Sequence, residues 1–136
     1  MNINVLALAD AANVRDSLLS TLSAGITHLQ PTAYPVPLEA QLAVQVIGGS
    51  AETGAHRFEV TIRNVASGAS LMEGSLTLQV GDSPDNGSSY RSFPLVLDLS
   101  QTVLPEPGDY EIQATIDGVD ARTIGFTAAA AASAES

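Results

Sequence analysis

The chain predicts an all-β fold, an immunoglobulin-like antiparallel β-sandwich of roughly seven to eight strands. Three observations predict it. Short segments alternate apolar and polar residues with a period of two, one after another along the chain. Glycine, proline, asparagine and aspartate punctuate them at hairpin spacing, leaving no room for the helical crossovers that a parallel sheet needs. Finally, Pro107-Gly108-Asp109-Tyr110 leads into a hairpin whose Tyr110, Ile112, Ala114 and Ile116 alternate with Glu111, Gln113, Thr115 and Asp117. The penultimate strand of many such sandwiches begins this way, so Tyr110 is the expected structural corner: ring packed inward, hydroxyl tied to the preceding turn.

Each element follows from its residues. β-Branched Ile3 and Val5, in an apolar run that stops at Asp10, predict a first strand over residues 2–9. Residues 10–16 read as a corner. Leu18, Leu19 and Leu22 suit a helical turn, but Gly25 followed by Ile26-Thr27 favours two short extended pieces. Pro31, Pro35 and Pro37 around Tyr34 predict a rigid extended connection. In the next strand Leu38, Ala40, Leu42, Val44 and Val46 face one way and Glu39, Gln41 and Gln45 the other, with Gly48-Gly49-Ser50 as the stop. After a polar loop over residues 50–55 comes the cleanest alternation, Phe58, Val60 and Ile62 against Arg57, Glu59, Thr61 and Arg63. A turn over residues 64–69 precedes Leu76, Leu78 and Val80, which alternate with Ser75, Thr77 and Gln79.

A second polar loop spans residues 81–89. Phe93, Leu95, Leu97 and Leu99 then form an apolar row before Leu104-Pro105-Glu106-Pro107 opens the closing hairpin. Asp117-Gly118 supplies its turn, and Ile124 and Phe126 resume the apolar face. The predicted domain is residues 1–127. Residues 128–136, six alanines with two serines and Glu135, form an alanine-rich tail. Such a tail is too short to hold a helix alone and is expected to fray, or to serve as a latch on a neighbouring subunit.

Three stretches together resemble a family of uncharacterised bacterial proteins common in actinobacteria. They are Leu8-Ala9-Asp10-Ala11-Ala12-Asn13-Val14 with Arg15-Asp16 and Leu18-Leu19, then Gly25-Ile26-Thr27 with the prolines between Pro31 and Pro37, and last Pro105-Glu106-Pro107-Gly108-Asp109-Tyr110 with Asp117-Gly118. The resemblance implies a small β-sandwich in a bacterial setting. It transfers no activity and no catalytic residue.

Composition excludes several chemistries. There is no cysteine, hence no disulfide, thiolate nucleophile or cysteine-based zinc site. Fifteen aspartates and glutamates stand against five arginines and no lysine, a formal net charge of −10. That balance removes Schiff-base lysine chemistry and repels nucleic acid. No signal-like n-region precedes the apolar run at Val5, and no run approaches the length of a membrane span, so a cytoplasmic location is expected, with a virion as the alternative.

No motif carries catalysis. The chain has no Gly-x-Ser-x-Gly elbow and only two histidines, His28 and His56. A zinc pair from these two needs at least one more ligand brought in by folding. The Asp82-Ser83-Pro84-Asp85-Asn86-Gly87 loop superficially resembles a calcium loop, but Pro84 replaces a required oxygen ligand and Phe93 stands where the bidentate glutamate belongs. Asp109, Asp117 and Asp120 lie close in sequence, the latter two flanking a turn and expected to point into water. Phe58, Phe93, Tyr110 and Phe126 are core candidates, which leaves Tyr34 and Tyr90 for the surface.

The reading is therefore a non-catalytic immunoglobulin-like interaction or scaffold module of bacterial origin, with no cofactor and no metal. Its expected partner is another protein or its own oligomer, and neither nucleic acid nor membrane. The alternative is a structural or decoration protein on a phage capsid or tail; a small-ligand-binding protein or hydrolase is a second alternative. Candidate partner-binding residues are Tyr34 and Pro35 in the proline segment and Asp85 and Tyr90 in the second polar loop.

Overall fold

A computed structural model of the protein describes residues 1–16, 18–48, 53–81 and 91–130. None of these residues lies in a helix. Eleven strands succeed one another among them: β1 (Asn2–Arg15), β2 (Leu18–Ala24), β3 (His28–Leu29), β4 (Val36–Pro37), β5 (Gln41–Gly48), β6 (Gly54–Asn64), β7 (Ser70–Val80), β8 (Arg91–Asp98), β9 (Val103–Leu104), β10 (Gly108–Ile116) and β11 (Asp120–Ala128). The eight longer ones build the two main sheets. The two-residue strands β3, β4 and β9 account for the excess over the expected number, because a pair of residues carries no readable alternation.

The first sheet runs β2-β1-β5-β8 and the second β3-β11-β10-β6-β7, with β4-β9 as a small third sheet. Every pairing is antiparallel except β11 with β3, where Thr127 lies beside His28 and Ala128 beside Leu29. Ile3, Leu8, Leu42, Val44 and Val46 from the first sheet meet Phe58, Val60, Ile62, Ile112, Ile116 and Phe126 from the second in one buried cluster. The alternation in β5, β6, β10 and β11 dictates this: one face of each strand is apolar and has to be covered.

The corner forms as expected. Tyr110 is 1% exposed and its hydroxyl donates to the Glu106 carbonyl at 2.5 Å. Its ring stacks on that of Phe126, its cross-strand partner, with centroids 5.4 Å apart. The turn after β10 forms at Asp117 (φ 55°) and Gly118 (φ 66°), and the Val119 amide donates to the Ile116 carbonyl at 3.0 Å. Left-handed φ at both central residues is the type I′ geometry that suits Asp-Gly.

Four expectations are corrected. Residues 10–16 are no corner, since β1 continues through Arg15 against β2. Phe93 is half-buried rather than interior, because β8 is an edge strand, and the Arg91 guanidinium lies 5.4 Å from its ring centroid. Tyr34 is not a surface ring. It packs against the core cluster and its hydroxyl donates to the Ala129 carbonyl at 2.5 Å. The final strand runs past residue 127: Ala128 is buried, and the Ala129 amide donates to the Leu29 carbonyl at 2.8 Å. The rest of the alanine-rich tail, from residue 131, lies outside the described residues.

Candidate interaction surface

β1 has two lives. Its first half pairs with β5 and belongs to the sandwich; the last row of that pairing is Ala9 with Gln41, where β5 begins. From Ala9 onward it pairs with β2, in rows that run to Arg15 opposite Leu18. The base of this hairpin is pinned. The amides of Gly25 and Ile26 both donate to the Leu8 carbonyl, at 2.9 and 3.0 Å, and the Ala12 amide donates to the Gln41 side-chain oxygen at 2.6 Å. At the far end Asp16 takes φ 53°, a left-handed conformation that an aspartate tolerates better than most residues.

Beyond its base the hairpin is an arm. In residues 10–15 only Ala12 is partly covered, and in β2 only Leu19 is. Cross-strand partners share a face, so Ala11, Asn13 and Arg15 lie with Leu22, Ser20 and Leu18 on one side, and Ala12 and Val14 with Thr21 and Leu19 on the other. Leu18 and Leu22 are each 65% exposed and Val14 is 46% exposed. Single exposed leucines are ordinary; two on one face of a strand whose outer edge carries no neighbouring strand are not.

Sequence reasoning missed this arm. Ala11-Ala12-Asn13 carries neither β-branching nor alternation, and its partner strand is legible only as Leu18-x-x-x-Leu22, which also fits a helix. The usable signal was the Asp16 break between two extended pieces of matching length.

The other predicted site residues are dispersed. Pro35 is exposed, beside the half-buried Tyr34 and across a cis peptide bond from it. Burial pushes the Tyr34 phenol above its ordinary pKa, and the neighbouring Tyr110 adds to the rise, so the hydroxyl stays a donor. Around this segment Leu29, Pro31, Val36, Pro37, Glu39 and Leu104 line an open groove of about 420 Å³. Asp85 and Tyr90 lie outside the described residues.

The histidines do not meet. His28 lies in the row of Thr127 and Asp109, at one end of the second sheet. His56 lies near the opposite end, two residues before Phe58, the partner of Ile116. About seven residues of strand separate the two rows, on the order of 20 Å. Among the described residues no three histidine or acidic side chains group as a metal site.

His56 instead holds a turn. Its Nδ1 lies 2.5 Å from Asp117 Oδ2, while Asp117 Oδ1 accepts from the Arg57 amide at 2.9 Å and the Asp117 amide donates to the Arg57 carbonyl at 2.7 Å. The hydrogen bond from His56 chiefly, with that from the Arg57 amide, holds the Asp117 carboxyl below the usual aspartate range despite some desolvation. Asp120 is committed too: it accepts from the Ile3 amide at 2.7 Å, tying β11 to β1. The expectation that both acids point freely into water is thereby corrected. Each satisfies a backbone amide that the fold would otherwise leave unpaired.

No curated protein matches the chain. A family of unknown function (DUF6941) matches residues 4–129, from the first strand to the end of the last, and the chain belongs to that family.

Proposed function

We propose that the protein is a non-catalytic, immunoglobulin-like interaction module of bacterial origin that engages a protein partner through the β1–β2 arm. The observation that carries this reading is the commitment of sequence to an arm that the sandwich does not need. Residues 10–15 and β2 add almost nothing to the buried cluster, yet they are built with a pinned base and an exposed pair of leucines. Exposed strand edges with apolar side chains on one face recruit partners by adding a strand, the backbone supplying affinity and the side chains selectivity. The polar pairs point the same way. His56 with Asp117 and Arg63 with Glu111 (2.7 Å) join neighbouring strands or turns, and neither converges with a nucleophile.

The test is capture. The immobilised chain and its Leu18→Ser/Leu22→Ser variant are exposed to an extract of the source organism, and retained proteins are quantified by mass spectrometry. The reading predicts a set retained by the parent chain and lost with the variant, at equal melting temperatures. Identical sets contradict it.

A further inference from the structure

The sandwich has four sheet edges, and three of them are defended. β8 carries Pro94, which cannot donate to a further strand, together with Asp98. β7 carries Glu73 and an irregular register where Ile62/Arg63 of β6 face it. β3 is only two residues long. Proline, charge, bulges and shortness are the devices by which native sheets refuse edge-to-edge pairing. β2, Leu-Leu-Ser-Thr-Leu-Ser-Ala, has no proline and no charge in seven residues. Its one irregularity, φ 54° at Ser23, lies near the end and leaves residues 18–22 regular.

From this we infer that the occupant of the β2 edge is a second copy of the chain, paired antiparallel about a two-fold axis through Ser20. The inference rests on the reading of the arm as the interaction surface and names its partner. Charge selects the copy and the place. Each chain carries a net charge of −10, so two copies repel over most of their surfaces. Self-pairing through β7 or β8 would bring Glu73 or Asp98 of the two chains into one small region, whereas β2 presents nothing ionised. Antiparallel self-pairing also matches every outward amide to an outward carbonyl without further design, and a two-fold contact closes after two copies instead of growing into a fibre.

Side chains choose the register. With Ser20 on the axis, Leu18 of one copy stands opposite Leu22 of the other and Leu22 opposite Leu18, so four leucines form one apolar patch on a single face. On the other face Leu19 meets Thr21. Shifting the axis by one residue would set Leu22 against Ser20 and Leu18 against Ala24, which uses both leucines less well. The paired stretch ends before the kink at Ser23. The outcome is continuous pairing of the two four-stranded sheets through their arms.

The absence of cysteine makes the test clean, because Ser20→Cys introduces the only thiol. Residues on a two-fold axis of an antiparallel pair bring their Cβ atoms to roughly 5 Å. Under mild oxidation Ser20→Cys should form a covalent dimer of twice the 14.0 kDa chain mass, about tenfold or more faster than Thr77→Cys on the exposed β7 edge. In light scattering the unmodified chain should approach the dimer mass as concentration rises, and more readily in high salt, which screens the net charge. Leu18→Lys/Leu22→Lys should stay monomeric with an unchanged circular-dichroism spectrum. A chain that is monomeric at all concentrations, or one whose mass grows past two copies, overturns the inference. So do equal disulfide rates at residues 20 and 77. If the inference fails while Leu18→Ser/Leu22→Ser still loses proteins captured by the parent chain, the arm binds a different protein; if capture is also unaffected, the functional reading falls with it.

Discussion

Two tyrosine hydroxyls stitch the sandwich to its own backbone, and each is worth a defined amount. Tyr110 is buried and donates to the Glu106 carbonyl, so Tyr110→Phe should cost about 1–2 kcal/mol in urea unfolding, the value of a buried hydrogen bond whose acceptor is left unpaired. Tyr34 donates to the Ala129 carbonyl from a less buried position, and Tyr34→Phe should cost about 1 kcal/mol or less. An unchanged denaturation midpoint for both would contradict the pairings. Asp117 makes a pH prediction. Its folded pKa is depressed, so its contribution is present above the ordinary aspartate pKa and is lost as pH falls through the lower folded value. Asp117→Asn keeps a residue that tolerates left-handed φ and removes only the charge. The melting-temperature gap between parent and variant should therefore be widest near neutral pH and close as the solution becomes acid. A gap independent of pH would show that the carboxylate charge contributes nothing.

At the scale of elements, what is legible in the sequence is what alternation encodes. The rows Phe58-Val60-Ile62 and Tyr110-Ile112-Ala114-Ile116, and the Asp117-Gly118 turn, are read directly, because strand periodicity and turn chemistry are local. The arm is illegible for the complementary reason. Ala11-Ala12-Asn13 becomes a strand only because β2 folds back on it, and no local preference announces that. The His56 contact with Asp117 spans 61 positions, and the Tyr34 contact with Ala129 spans 95; both are created by topology alone. The energetic contrast between arm and sandwich is testable. Ile62 is fully buried between the sheets, so Ile62→Ala should cost about 2–5 kcal/mol. Leu18→Ser/Leu22→Ser in the isolated monomer should stay within about 0.5 kcal/mol per site, as exposed substitutions do. A large loss from the arm variant would mean that its leucines support the fold rather than a partner.

For the whole molecule the distribution of charge and order is the point. An acidic shell surrounds a dry interlayer, three of the four sheet edges are defended, and the one uncharged edge is carried away from the core on a pinned hairpin. That arrangement keeps copies of the chain apart everywhere but along β2. The most direct measurement is amide hydrogen exchange, comparing the chain diluted to a monomer with the chain in its native assembly. Slowed exchange over residues 18–22, with β7 and β8 unchanged, is the predicted result. Identical exchange over residues 18–22 in both states, or protection that appears at β7 or β8 instead, would contradict it.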